Sequence, residues 1–227
     1  MNIILFCIIS IIAIFALLII RYKKYHISLL KTVIITFAIA FSGLLGSYIM
    51  FFLENGTWYG RSMFGGILLF PLFLFPVSLM LKIEPSDLLD YATIPGAFML
   101  AFSKFNCYLA GCCDGKVIGY VDGIPNFFPS QLVEMSASLL IVVTLLVFET
   151  TNKLKHFMCP VCIVLYSITR FILDFFRWSQ EVFALGMTAG RFWSVVSFLI
   201  GIIWIVIKIR KQQSFSEKEC CYAIKKS

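Results

Sequence analysis

The chain has 227 residues, 60% of them hydrophobic and only 14% charged, so it cannot hide its apolar side chains in one soluble core and reads as an integral membrane protein. The formal charge of +7 does not point to a nucleic-acid partner, because much of the basic excess flanks apolar segments instead of gathering on a water-exposed face. The 24 Phe fit the same class, since lipid-facing helices accept Phe as readily as Leu or Ile.

A hydrocarbon core of roughly 30 Å needs about 20 apolar residues in helix. Windows of that kind fall near 3–20, 29–53, 63–82, 88–110, 131–148, 157–176 and 185–207. They predict an all-α polytopic membrane protein of seven transmembrane helices, one domain over 1–207 followed by a basic cytoplasmic tail over 208–227 with a disordered end. The first window has no positive charge before it and no small-x-small cleavage site after it, so it reads as a retained helix. Lys and Arg orient the set. Arg21, Lys23, Lys24 and Lys31, then Lys82, then Lys153 and Lys155, then Lys208, Arg210, Lys211, Lys218, Lys225 and Lys226 share one side if the N-terminus is outside and the C-terminus inside.

Arg61, Lys104, Lys116, Arg170, Arg177 and Arg191 fall on the other side and need another explanation, with snorkelling from helix ends as the simple one. Arg61 and Ser62 follow an interfacial Trp58-Tyr59 and lead into Gly65-Gly66. A Gly pair at a helix start exposes N–H groups that suit a head-group phosphate, and close helix packing is the alternative. Asp87 and Asp90 open the fourth helix, where Ser86-Asp87 reads as an ordinary N-terminal cap without chemistry.

The stretch from Lys104 through Cys107, Gly111, Cys112 and Cys113 to Gly115 is the least membrane-like piece in the middle of the chain. Irregular polar backbone there must be buried in protein, line a wet cavity or reach the surface. A Cys107–Cys112 or Cys107–Cys113 disulfide and plain packing are the two readings of its cysteines. Metal binding is not expected, because adjacent cysteines rarely share one tetrahedral ion and His26 and His156 lie on the opposite side. Cys159-Pro160-Val161-Cys162 has redox-motif spacing but opens a helix instead of following a strand.

Pro129-Ser130-Gln131-Leu132-Val133-Glu134 reads as a helix start whose Glu134 sits at the edge of the apolar region, where an unpaired carboxylate is costly, with a helix-dipole role as the alternative. In the sixth window, Tyr166, Arg170, Asp174 and Arg177 fall on one helical face. That polar seam must point into the bundle or a cavity, with an Arg170–Asp174 pair that only fixes packing as the alternative.

In order, Gly-x-Ser-x-x-Gly-Gly, Gly-Cys-Cys-x-Gly-Lys, Pro-Ser-Gln-Leu-x-Glu, Tyr-x3-Arg-x3-Asp-x2-Arg and a late Ala-Gly-Arg-x-x-Ser resemble the bacterial prolipoprotein diacylglyceryl transferases, in a divergent Gly-Cys-Cys form. The resemblance runs from about Arg61 to Ser194. It implies a multi-pass protein of the bacterial plasma membrane that moves the diacylglyceryl group of phosphatidylglycerol to a cysteine thiol in a preprolipoprotein signal peptide, at the outer leaflet and without a cofactor. It puts Arg170, Lys104, Tyr166 and Glu134 in the catalytic group. It puts Arg61, Ser62, Gly65, Gly66, Cys107, Gly111, Gly115, Gln131, Asp174 and Arg177 around the lipid. Lys104 stands at a family arginine and Cys107 at a family asparagine. Two departures stand out: Phe64 replaces the histidine taken as general base, and Gly46-Ser47-Tyr48 lacks the cation usual after that glycine. A paralogue that binds lipid or peptide without transfer is the rival expectation.

Overall fold

The computed structural model describes residues 3–113, 115–122, 124–151, 154–177 and 182–224, with side chains as far as Ser214 apart from those of Ile3, Ile4 and Val121. Asp114, Lys153, Lys225 and Lys226 lie outside the described residues, as do the side chains of Lys218, Cys220 and Cys221. In chain order the elements are α1 (Ile3–Arg21), α2 (Leu29–Asn55), α3 (Met63–Leu68), α4 (Phe70–Leu81), α5 (Pro85–Leu109), β1 (Val117–Val121), β2 (Ile124–Phe127), α6 (Ser130–Thr150), α7 (Met158–Asp174), β3 (Val182–Ala184), β4 (Met187–Thr188) and α8 (Ala189–Ile224).

The protein is thus mostly helical, and each expected window holds helix, with four local differences. The third window breaks into α3 and α4 at Leu69. Pro71 has no N–H to donate to the carbonyl four residues back, and the chain re-enters helix with that proline in the first turn. Two short antiparallel hairpins, β1–β2 and β3–β4, interrupt the all-α pattern, and the second occupies the start of the last expected window. The N-cap of α5 is Glu84, with Pro85 next, so Ser86 and Asp87 lie inside the first turn and are not its cap. Finally, α8 continues as helix past Lys208 to Ile224.

Four helical stretches are long and apolar enough to cross a membrane: Leu29–Asn55, Met63–Leu81 taken across its break, Ser130–Thr150 and Ala189–Ser214. Of the others, α5 and α7 carry long buried stretches, whereas α1 is a shorter apolar helix that leaves Ile8, Ile12 and Ile20 exposed. In α5 the run from Leu88 to Pro95 is buried without interruption, and α7 buries Tyr166, Ser167, Arg170 and Asp174. Large apolar side chains such as Ile12, Ile20, Phe37, Phe41, Leu72 and Leu79 remain exposed on the outside of the bundle, as expected for a surface that faces lipid.

Tyr91 shows how the core is tied. Fully buried in α5, it donates its hydroxyl to the Leu18 carbonyl of α1 (2.8 Å) and lies 3.1 Å from the Thr32 hydroxyl of α2. At the same end of the bundle, Arg21 and Glu149 form a buried ion pair at 2.6 Å. Arg21 also donates to the Tyr91 and Asp90 carbonyls, and Glu149 accepts from the Tyr25 hydroxyl. Buried Asp90 accepts from the Met158 N–H (3.2 Å) and from the His156 N–H, satisfying donors at the start of α7. Because α5 and α6 run antiparallel, their other ends carry Lys104 and Glu134 to the opposite pole.

Candidate functional site

Glu134, in the second turn of α6, is the hub of that pole. Its Oε2 lies 3.1 Å from Lys104 Nζ on α5 and 3.0 Å from Arg170 Nη1 on α7, while its Oε1 accepts the Tyr166 hydroxyl at 2.8 Å. All four side chains are buried, at 5% exposure or less. Tyr166 and Arg170 reach the same carboxylate because four residues bring two side chains onto one helical face. A carboxylate in such surroundings is tolerable only when paired, and here two cations and a hydroxyl satisfy it.

The seam on α7 points inward, as its spacing requires. Beyond Arg170, Asp174 is buried and ends the helix, so Arg177, half-buried, is not on the expected helical face but lies past α7 in an antiparallel bridge to Gly115. Asp174 Oδ1 lies 3.7 Å from Arg170 Nη2, a longer contact than Arg170 makes to Glu134. Its other oxygen accepts from the Thr188 hydroxyl and sits 3.5 Å from Arg191 Nε at the start of α8. Asp174 therefore links α7 to the β3–β4 hairpin and α8. Gly190 allows this, because a Cβ there would run into the Asp174 carboxylate.

Lys104 and Arg170 open onto a cavity of about 280 Å³. Its wall also includes Glu54, Arg61, Ser62, Phe64, Asn106, Cys107, Cys113 and Arg177. Four cations face it, which is what becomes of most of the basic residues on the unexpected side. Arg61 lies over the Tyr48 ring and donates to its hydroxyl at 3.2 Å. Ser62 donates to Glu54 Oε1 at 2.8 Å. Arg170 Nε is buried without a hydrogen-bond partner among the described residues, and so is Asn106 Oδ1. Phe64 is buried, its ring edge-on to Tyr166 with centroids 6.3 Å apart.

Several expected residues act behind this wall. Gly65 packs backbone to backbone on Gly46 of α2, where a Cβ would strike the Gly46 carbonyl, so close helix approach accounts for it. Gly66 lines a separate small apolar cavity with Tyr166. Gln131 donates to the Cys112 carbonyl (2.7 Å) and Ser130 to the Cys113 carbonyl (2.8 Å), so the start of α6 clamps the cysteine turn. Gly111 has φ +63° in that turn. Gly115 donates its N–H to the Phe128 carbonyl and has no room for a Cβ between the Phe128 and Phe176 backbones. The backbone N–H of Lys116 donates to the Phe176 carbonyl at 2.8 Å, which joins this loop to the end of α7.

Cys107, Cys112 and Cys113 place their sulfurs within 4.8 Å of one another. A hydrogen bond from Cys107 holds the Cys113 thiol down to about 5, with help from Lys104 and Arg177. Sequence reasoning missed Glu54 and Asn106. Glu54 ends an apolar helix like any interfacial carboxylate, and Asn106 is hidden beside the motif position of Cys107.

The family model described as prolipoprotein diacylglyceryl transferase matches residues 2–207. A phosphatidylglycerol–prolipoprotein diacylglyceryl transferase of Clostridium tetani (strain Massachusetts / E88) is 23% identical over 137 residues, 55% of this chain and 55% of that protein. The chain thus matches about half the length of that curated relative. With the family match running from α1 through the membrane-length part of α8, the chain belongs to the prolipoprotein diacylglyceryl transferase family.

Proposed function

We propose that this chain transfers the diacylglyceryl group of phosphatidylglycerol to the thiol of a lipobox cysteine in a preprolipoprotein signal peptide. The reaction takes place at the outer leaflet of a bacterial plasma membrane, with the chain spanning the bilayer seven times, N-terminus outside. The observation that carries the reading is the position of Lys104 and Arg170, which come from separate helices, share Glu134 and open onto one cavity. Transfer breaks the bond between a glycerol carbon and a phosphate oxygen, and the oxygen leaves with the electron pair. Cations fixed in a water-poor wall stabilise that developing charge most effectively.

In this reading the substrate thiol loses its proton, its sulfur forms the bond to the glycerol carbon, and glycerol phosphate departs. Arg170 and Lys104 hold the phosphate, with Arg61 and Arg177 nearer the head group. Glu134 and Tyr166 orient the two cations. Glu54, the cavity carboxylate outside the ion-paired group around Glu134, is the acceptor we assign to the thiol proton, since Phe64 cannot serve. The direct test is lipid-labelled transfer to a lipobox peptide in proteoliposomes with phosphatidylglycerol as the only donor. Thioether product that disappears in both Arg170→Ala and Lys104→Ala supports the reading, and product undiminished in both overturns it.

Phe64 and Tyr48 favour a second reading, a paralogue that binds lipid or peptide without transfer. It requires peptide binding with no thioether product in the same vesicles, and failure to complement a strain depleted of its own transferase.

A further inference from the structure

We propose that the thiols of Cys107, Cys112 and Cys113 form a three-thiolate site for one thiophilic closed-shell ion of the zinc and cadmium class. From sequence, metal binding is not expected, because adjacent cysteines such as Cys112 and Cys113 rarely share one tetrahedral ion. The fold adds a third from the last turn of α5, and the three sulfurs lie within 4.8 Å of one another. Around an ion bound at ~2.3 Å, tetrahedrally arranged sulfurs are ~3.8 Å apart. Closing the cluster by roughly that difference needs small side-chain rotations and no backbone change. Cys112 and Cys113 are exposed enough to make them.

The backbone that carries the donors is held from two directions. At the end of α5 the Cys112 N–H donates to the Cys107 carbonyl at 3.1 Å, and left-handed conformations at Gly111 (φ +63°) and Cys113 (φ +67°) fold the chain back over the helix end. From α6, Gln131 and Ser130 bind the carbonyls of Cys112 and Cys113. Preorganisation of this kind separates a ligand set from thiols that merely share a loop. Charge is favourable too. Three thiolates around a divalent ion leave a net negative charge, and Lys104 and Arg177 stand in the same cavity wall as Cys107 and Cys113. Soft thiolate donors select zinc-class ions over magnesium or calcium. The site is separate from Cys159 and Cys162, which are buried in α7.

The test uses the full chain in detergent with Cys220→Ser and Cys221→Ser, reduced and then freed of reductant without oxygen, and titrated with Cd(II) alone. The expected result is a sulfur-to-metal absorption band that saturates at one ion per chain, is lost in Cys107→Ser, Cys112→Ser and Cys113→Ser, and persists in Cys159→Ala. Should a Ser variant not fold, prior alkylation of the folded protein with iodoacetamide serves in its place and is expected to abolish the band. The inference is overturned by absence of saturating uptake, or by uptake that survives all three substitutions and alkylation. It is also overturned if a disulfide within the trio accounts for the thiols and the reduced protein takes up no Cd(II). None of these readouts depends on transferase activity.

Discussion

Glu134 Oε2 lies 3.0 Å from Arg170 Nη1, in surroundings that leave neither side chain more than 5% exposed, and the same oxygen lies 3.1 Å from Lys104 Nζ. One carboxylate therefore holds two cations that would otherwise repel. Removing it is expected to hurt the fold as well as the site, because breaking a buried ion pair leaves an uncompensated charge, at a cost of about 3–5 kcal/mol. Glu134→Ala should lower the thermal midpoint in detergent sharply. Glu134→Gln keeps an acceptor for the Tyr166 hydroxyl and should lower it less, while both variants lose transfer activity. An unchanged midpoint for Glu134→Ala would mean that the cations do not depend on it.

Lys104 and Arg170 are not expected to be equivalent. Arg170 presents two donors to its neighbours, Nη1 to Glu134 and Nη2 toward Asp174, and keeps a buried Nε without a hydrogen-bond partner among the described residues. Lys offers a single ammonium in place of that planar fork. Arg170→Lys should therefore cost about a hundredfold in turnover, the scale of losing one fixed donor to a developing anion. Lys104→Arg places the guanidinium that the family resemblance expects there, and should retain or raise turnover. Initial rates of peptide lipidation measure both, and equal losses would count against separate roles.

The glycine pair gives a sharper contrast. A methyl group on Gly65 meets the Gly46 carbonyl and the Met50 Cβ, whereas the nearest atom to one on Gly66 is the Gly43 carbonyl at 3.5 Å, an ordinary contact. Gly65→Ala forces α2 and α3 apart, and overpacking of this kind costs about 1–3 kcal/mol. Gly66→Ala should be tolerated. Thermal midpoints of the two variants check this, and equal values would show that the α2–α3 contact is looser than described.

Much of this site is legible in the sequence because membranes make polarity conspicuous. Tyr166, Arg170 and Asp174 stand out in an apolar window, and helical spacing alone puts them on one face, where the structure finds all three buried. Glu134 is visible for the same reason. What pairs with it is not, since Lys104 is 30 residues away in the chain and only the antiparallel packing of α5 on α6 brings the two together. The two hairpins are too short to show a period against the surrounding helices. The break at Leu69 is signalled by Pro71, but an apolar window alone passes over it. Asp90 reads as helix-start polarity in the sequence, and its partners, the N–H groups of His156 just before α7 and of Met158 at its start, cannot be read from one element.

Arg21 shows most clearly how a residue can serve two ends. By position it is the first cation after an apolar run, the usual marker of helix orientation. In the fold it is 6% exposed, paired with Glu149 and bonded to two backbone carbonyls of α5. Glu149→Gln leaves that guanidinium buried with the carbonyls as its remaining partners, and is expected to destabilise the protein by about 3 kcal/mol or more. Arg21→Met in the same chain should recover much of the loss, since it removes the orphaned charge and keeps an apolar stem against Tyr25 and Tyr91. Thermal midpoints of the two single variants and the double variant measure the coupling. If the double variant is as unstable as the two losses added together, the pair contributes no coupling, and Arg21 acts through orientation and its carbonyl contacts alone.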